Sequence, residues 1–200
     1  LFEYAGGQVV NGIAKWGAND WEPIGSGLSL EGDFGAGSGW TLKVINNEMY
    51  LAGIFDSING IEAHGLAKFN GNTWSSAFSI PRFTSTNINR IYDVEWFQGE
   101  LYIGGVIYQP GSSPQILGLA KWDGNNWVGV GNGMYGNLPY FSRLTTFQNK
   151  LILAGSFNYA QNPGSIPGNC ITSWDGTNWD TLQGGLHLDG NIADIAVHGS

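Results

Sequence analysis

The strongest constraint in this sequence is a six-residue outline that returns four times. Trp122-Asp123-Gly124-Asn125-Asn126-Trp127 is its clearest copy. Trp174-Asp175-Gly176-Thr177-Asn178-Trp179 and Phe69-Asn70-Gly71-Asn72-Thr73-Trp74 match it, and Trp16-Gly17-Ala18-Asn19-Asp20-Trp21 is a degenerate version. The leading aromatics fall at 16, 69, 122 and 174, so the spacings are 53, 53 and 52 residues. A fixed period of about 50 residues belongs to propellers and solenoids, where each unit buries its apolar faces against its neighbours.

The outline reads as a β-hairpin. Asp-Gly and Asn-Gly tolerate the positive backbone φ of a tight reverse turn. Short runs lead into each turn: Gly12-Ile13-Ala14-Lys15, Gly65-Leu66-Ala67-Lys68, Gly118-Leu119-Ala120-Lys121 and Cys170-Ile171-Thr172-Ser173. Seven of the nine tryptophans, Trp16, Trp21, Trp74, Trp122, Trp127, Trp174 and Trp179, stand in these hairpins. A structural role is expected for them, wedged between neighbouring sheets, because every unit needs the same packing and only a few would need a ligand.

Two more strands precede each hairpin. Thr41–Ile45 alternates Leu42 and Val44, turns at Asn46-Asn47 and continues as Met49–Phe55. Ile91–Phe97 turns at Gln98-Gly99 into Leu101–Gly105, and Leu144–Phe147 turns at Gln148-Asn149 into Leu151–Gly155. An alternating strand beside a continuous apolar one indicates a half-covered strand next to a fully buried one. Four antiparallel strands per unit describe a blade of an all-β propeller. The expectation is a single propeller region over 1–200, with full blades near 41–78, 91–130 and 144–182. Partial blades fall at 1–25 and 192–200, Leu1-Phe2 aligning with Ile54-Phe55, as in a segment of a larger ring.

The run Leu101-Tyr102-Ile103-Gly104-Gly105, followed by Trp122-Asp123 and Trp127, resembles the kelch pattern of apolar run, Gly-Gly, aromatic-Asp and Trp. It resembles more closely the secreted propeller repeats of Bacteroidetes-type bacteria, which read Gly-Gly-x-Phe, Ile-Ala-x-Trp-Asp-Gly-x-x-Trp and a Gly-rich loop. The likeness spans essentially the whole chain and implies the fold and an exported protein. Ala52-Gly53 and Ala154-Gly155 depart from Gly-Gly, Gly17 from the Asp, and Phe69 from the Trp.

Composition narrows the function. Thirty-two glycines and few charged residues suit many short strands joined by turns. Sixteen acidic against eight basic residues give a net charge of −8, which disfavours nucleic acid and anionic membrane surfaces. No stretch approaches the ~20 apolar residues of a membrane-spanning helix. Cys170 is the only cysteine, so no disulfide framework or cysteine zinc site forms within the chain. It occupies the slot of Gly12, Gly65 and Gly118 and reads as a buried structural thiol.

The turns within strand pairs are short and uniform, whereas the remaining connections are long and dissimilar. These two sets leave an up-and-down blade on opposite faces, and recognition belongs to the varied face. Its aromatics, Trp40, Phe83, Tyr135, Tyr140 and Phe141, together with Phe34, are the candidate ligand contacts, against inter-blade packing as the plain alternative. Ser173-Trp174-Asp175-Gly176-Thr177-Asn178-Trp179 is one residue short of a sialidase Asp box, and Arg82, Arg90 and Arg143 lie in separate loops. His64, His187 and His198 show no ligand spacing for oxidase-like copper chemistry. Turn geometry accounts for Asp123 and Asp175 without calcium, and Asp-x-Asp-x-Asp-Gly loops are missing. No metal or cofactor is therefore assigned. The expected function is a non-catalytic extracellular module that binds carbohydrate or protein. A glycan-directed propeller enzyme, sialidase-like or oxidase-like, is the alternative.

Overall fold

The computed structural model describes residues 2–31, 37–83, 89–109, 115–135, 140–160, 166–167, 169–183, 186 and 192–198. These are all-β, with no helix among them. The chain forms two compact units, Leu1–Arg90 and Ile91–Ser200.

The first unit opens with two hairpins, β1 (Tyr4–Ala5) with β2 (Gln8–Val9) and β3 (Ala14–Trp16) with β4 (Trp21–Pro23), followed by the short strand β5 (Leu28–Ser29). Its main sheet contains β6 (Ser38–Ile45) and β7 (Glu48–Ile54). Between β7 and the next main strand lies a small hairpin, β8 (Ser57–Ile58) and β9 (Ile61–Glu62). The sheet is completed by β10 (Leu66–Phe69) and β11 (Trp74–Ser76), giving the antiparallel order β11-β10-β7-β6. Ile13, Leu28, Leu51, Phe55, Ile58, Ala67 and Trp74 bury one face of it.

The second unit holds two such sheets. One runs β12 (Arg90–Phe97), β13 (Glu100–Gln109), β14 (Ile116–Trp122), β15 (Trp127–Gly129). After β16 (Met134–Tyr135), the other begins with β17 (Tyr140–Phe147) and β18 (Lys150–Ser156). The short strands β19 (Tyr159–Ala160) and β20 (Ile166–Pro167) intervene before β21 (Ile171–Trp174) and β22 (Trp179–Asp180). Its order is β17-β18-β21-β22. The two sheets pack face to face through Phe97, Tyr102, Leu119, Val130 and Met134 on one side and Leu144, Leu151, Leu153, Trp174 and Trp179 on the other.

Local chemistry explains the turns. Asn46-Asn47, Gln98-Gly99 and Gln148-Asn149 carry positive φ at both residues, as the tightest hairpin turns require. In the longer hairpin loops Asp123 Oδ1 accepts the N–H groups of Asn125 and Asn126 at 2.8 and 2.7 Å, and Asp175 Oδ1 does the same for Thr177 and Asn178. These bonds, with Asn126 and Asn178 contributing most, hold both carboxyls below the usual range.

Two features differ from the sequence reading. The long connections are not plain loops, because β5 pairs with β8 and β16 with β19, building small three-stranded sheets. Residues 192–198 form no strand. Ile192 N–H instead points to Gly155 O at 3.5 Å, and Arg143 Nε reaches Asp194 Oδ1 at 3.0 Å.

Candidate functional site

Antiparallel order places the short turns of each main sheet at one end and the longer connections at the other. At the end with the longer connections the first unit places the buried Asp56, and the second the buried Asp93 and Ser142.

In the first unit Asp56 follows β7 and is buried. A buried carboxylate is costly unless it is paired and hydrogen-bonded, and this one is both. Glu31 N–H donates to Oδ2 at 2.7 Å, and Arg82 Nη1 donates to Oδ1 at 2.5 Å. Arg82 Nη2 also reaches Glu31 Oε2 at 3.0 Å. His64 stands beside this pair, with Nδ1 3.9 Å from Asp56 Oδ1 and Nε2 2.9 Å from Glu62 Oε1. Three connections thus converge on a cluster of alternating charge. With Arg82 at its centre, the cluster is better matched to holding these connections together than to receiving a cation.

In the second unit Tyr92 on β12 and Tyr140 at the start of β17 stack with ring centroids 5.3 Å apart and planes tilted by 38°. Both are half-buried. The neighbouring Asp93 is buried and ties the two sheets together: Oδ1 accepts Val94 N–H and Oδ2 accepts Leu144 N–H, each at 2.8 Å. Arg143 donates to Asp194 Oδ1 and, through Nη1, to Ser142 O at 2.7 Å. Ser142 is the extra residue of a bulge between Phe141 and Arg143, and its hydroxyl lies within hydrogen-bonding reach of Ala154 O and Ile192 O, donating its single proton to one of them. Asp93 follows Tyr92 directly in sequence, and Arg143 stands three residues after Tyr140.

The candidate ligand contacts divide. Tyr140 belongs to the ring pair, and Tyr135 is half-buried on β16. Trp40 is exposed at the equivalent bulge of the first unit, between Gly39 and Thr41. Phe83 and Phe141 are core side chains instead, the latter against Phe157 at 5.2 Å between centroids, and offer a solution ligand almost no surface. Phe34 and His187 lie outside the described residues. Among the hairpin tryptophans, Trp74, Trp127, Trp174 and Trp179 are buried and Trp122 is half-buried. Trp16 and Trp21 depart from the expected burial at 61% and 41% exposure, because β3–β4 is a two-stranded sheet with one face uncovered.

Sequence reasoning missed the Asp56 cluster and Tyr92. The cluster's partners are separated by 25, 26 and 51 residues, so no spacing rule joins them. Tyr92 was visible only as part of an alternating strand. Among the described residues no group of His, Cys, Asp and Glu could hold a metal ion.

Fold and site together define an all-β protein built on recurring four-stranded antiparallel sheets. No protein-family model matches the chain, and no curated protein matches it.

Proposed function

We propose that the chain is a stretch of β-propeller, kelch-like in its repeat, acting as an exported, non-catalytic module that binds carbohydrate through the end bearing the longer connections. The propeller reading is supported by three main sheets of the same up-and-down order recurring at the sequence period. The half-buried Tyr92–Tyr140 pair carries the functional reading. Aromatic faces stack on the apolar faces of sugar rings at low entropic cost, and the half-buried Arg143 on the same strand as Tyr140 brings guanidinium donors. The excess of negative charge makes a neutral glycan the better-matched class. Asp56 and Asp93 are occupied with structural partners, which supports binding over acid–base chemistry.

The test is a glycan-binding screen of the chain and of a Tyr92→Ala/Tyr140→Ala variant with unchanged circular dichroism. Binding should fall at least about tenfold in the variant, equal to about 1.4 kcal/mol. Undiminished binding, selective capture of a protein in place of glycans, or turnover of a glycoside would each reject the proposal.

A further inference from the structure

The hairpin between Phe69 and Trp74 matches its sisters in shape but differs from them in chemistry. Asn70 Oδ1 accepts the N–H groups of Asn72 and Thr73 at 3.0 and 2.9 Å, and Asn70 N–H reaches Thr73 O at 3.3 Å. Asp123 and Asp175 build the same turn with a carboxylate. An ionised carboxylate offers no leaving group, whereas the Asn70 carboxamide does. The residue that follows is Gly71, whose backbone nitrogen no side chain shields.

Every group needed for attack of that nitrogen on the carboxamide is available. Among the described residues the Gly71 N–H and Asn70 Nδ2 have no hydrogen-bond partner. Both residues are exposed to water, and a Cβ on Gly71 would meet nothing within 4 Å. The two N–H donors polarise the side-chain carbonyl of Asn70. They also hold the carboxamide folded over the Gly71 peptide, because Oδ1 reaches past it to residues 72 and 73.

The sequence has four Asn-Gly pairs, and the fold closes the other three to this reaction. Gly12 N–H donates to Phe2 O at 2.8 Å, and Asn11 Nδ2 donates to Ser26 O at 3.0 Å. Gly133 N–H donates to Val130 O at 2.8 Å, so the nitrogen after Asn132 is also engaged. Asn59 sends its carboxamide across to another connection, where Oδ1 accepts Ser26 N–H at 3.3 Å and packs against Gly25. The dipeptide is common to all four, and its surroundings single out one.

We propose that Asn70 is a self-modification site, converting through a cyclic imide into aspartate and isoaspartate. The Gly71 nitrogen gives its proton to solvent base and bonds to Asn70 Cγ. The Cγ–Nδ2 bond breaks, and the amide nitrogen takes up a proton and leaves as ammonia. Water then opens the ring. Opening at Cγ leaves an aspartate in the ordinary chain, and opening at the backbone carbonyl leaves a chain that runs through Cβ. Water is consumed and ammonia released, with no oxidant or reductant. The first product is the residue that two sister hairpins already carry. Turn bonds from Asn126 and Asn178 hold the Asp123 and Asp175 carboxyls low, and the same bonds keep the new carboxylate ionised and inert. The second product adds a methylene to the backbone between Phe69 and Trp74, which pair across the hairpin with ring centroids 5.1 Å apart. Trp74 is buried with its indole N–H unpartnered, whereas Trp179 is tied to Gly131 O. Isoaspartate therefore loosens a tryptophan held by packing alone.

The test is peptide mapping by mass spectrometry of the chain held at mildly alkaline pH, both folded and in guanidinium chloride. In the folded chain, residue 70 should gain the mass of amide-to-acid exchange at least about tenfold faster than residues 11, 59 and 132. Denaturant should abolish that difference. Asp123→Asn places the same pair in the same turn, where Gly124 is equally open, and should revert to aspartate at a rate within about threefold of that at Asn70. The isoaspartyl chain, separated by chromatography, should exchange the amides of β11 at least about tenfold faster than the aspartyl chain. Conversion at residue 11, 59 or 132 as fast as at 70 in the folded chain overturns the proposal. So does an intact Asn70 under conditions that convert it in denaturant, an Asp123→Asn variant that does not revert, or equal protection of β11 in the two products.

Discussion

At Cys170 the backbone takes φ +72°, in the slot where Gly12, Gly65 and Gly118 take +82°, +89° and +77° in the sister repeats. A side chain there costs about 1–2 kcal/mol of backbone strain, offset by burial of its thiol and by a less flexible unfolded chain. Cys170→Gly should therefore change stability by less than about 1 kcal/mol in urea titration. Gly65→Ala gains no compensating contact, and its Cβ would stand 3.1 Å from Gly53 O, so it should cost about 1–2 kcal/mol. The tryptophans separate by burial in the same way. Trp179→Ala, which also loses the indole bond to Gly131 O, should cost about 3–5 kcal/mol, and Trp16→Ala about 1 kcal/mol or less. Asp123 and Asp175 make the acid-sensitive contribution. Their folded pKa values are depressed, so the turn stabilisation is full above the unfolded pKa and is lost as pH falls through the folded one. Asn70 makes the same two turn bonds with a neutral amide. Asp123→Asn/Asp175→Asn should thus keep the turns and flatten the decline of Tm below about pH 4. A variant as acid-sensitive as the parent would reject this account.

At the scale of elements, the bulges organise the ends of the sheets that bear the site. β6 and β17 each carry one extra residue, Trp40 and Ser142, opposite the Ala-Gly pairs 52–53 and 154–155. The strand backbones come so close that a Cβ on Gly53 would lie 2.0 Å from Ser38 O, and one on Gly155 2.2 Å from Tyr140 O. Gly155→Ala should consequently cost about 3 kcal/mol or more and perturb Tyr140, seen as a shifted Tyr140 ring signal in NMR before global unfolding. This explains why Ala is accepted for the first Gly of the Gly-Gly pattern while the second remains. The pairs Glu48–Lys68 and Glu100–Lys121 were not read from the sequence, because cross-strand proximity exists only once the register is known.

At the scale of the molecule, the second unit has two main sheets sealed over a shared core, and the first has one such sheet, on whose β6 Leu42 and Val44 are exposed. Amides of β6 should therefore exchange at least about tenfold faster than those of β17, despite the same place in the repeat. Equal protection would mean that β6 is covered in solution. The sequence by itself determined the repeat, the strand pairs and their turns, because period, alternation and positive-φ residues are local properties that each copy states again. Tertiary structure alone decided which aromatics are surface. Phe141 and Tyr140 are neighbours with the same hydrophobic signature, yet the pleat and bulge turn one into the core and leave the other half-buried. It alone assembled Asp56, Glu31, Arg82 and His64, since a buried carboxylate is satisfied by whatever groups the fold brings near rather than by groups near in sequence. And it alone distinguished Trp21 from Trp74, Trp127 and Trp179: the four have equivalent places in the hairpin, and burial depends on whether another sheet lies across them.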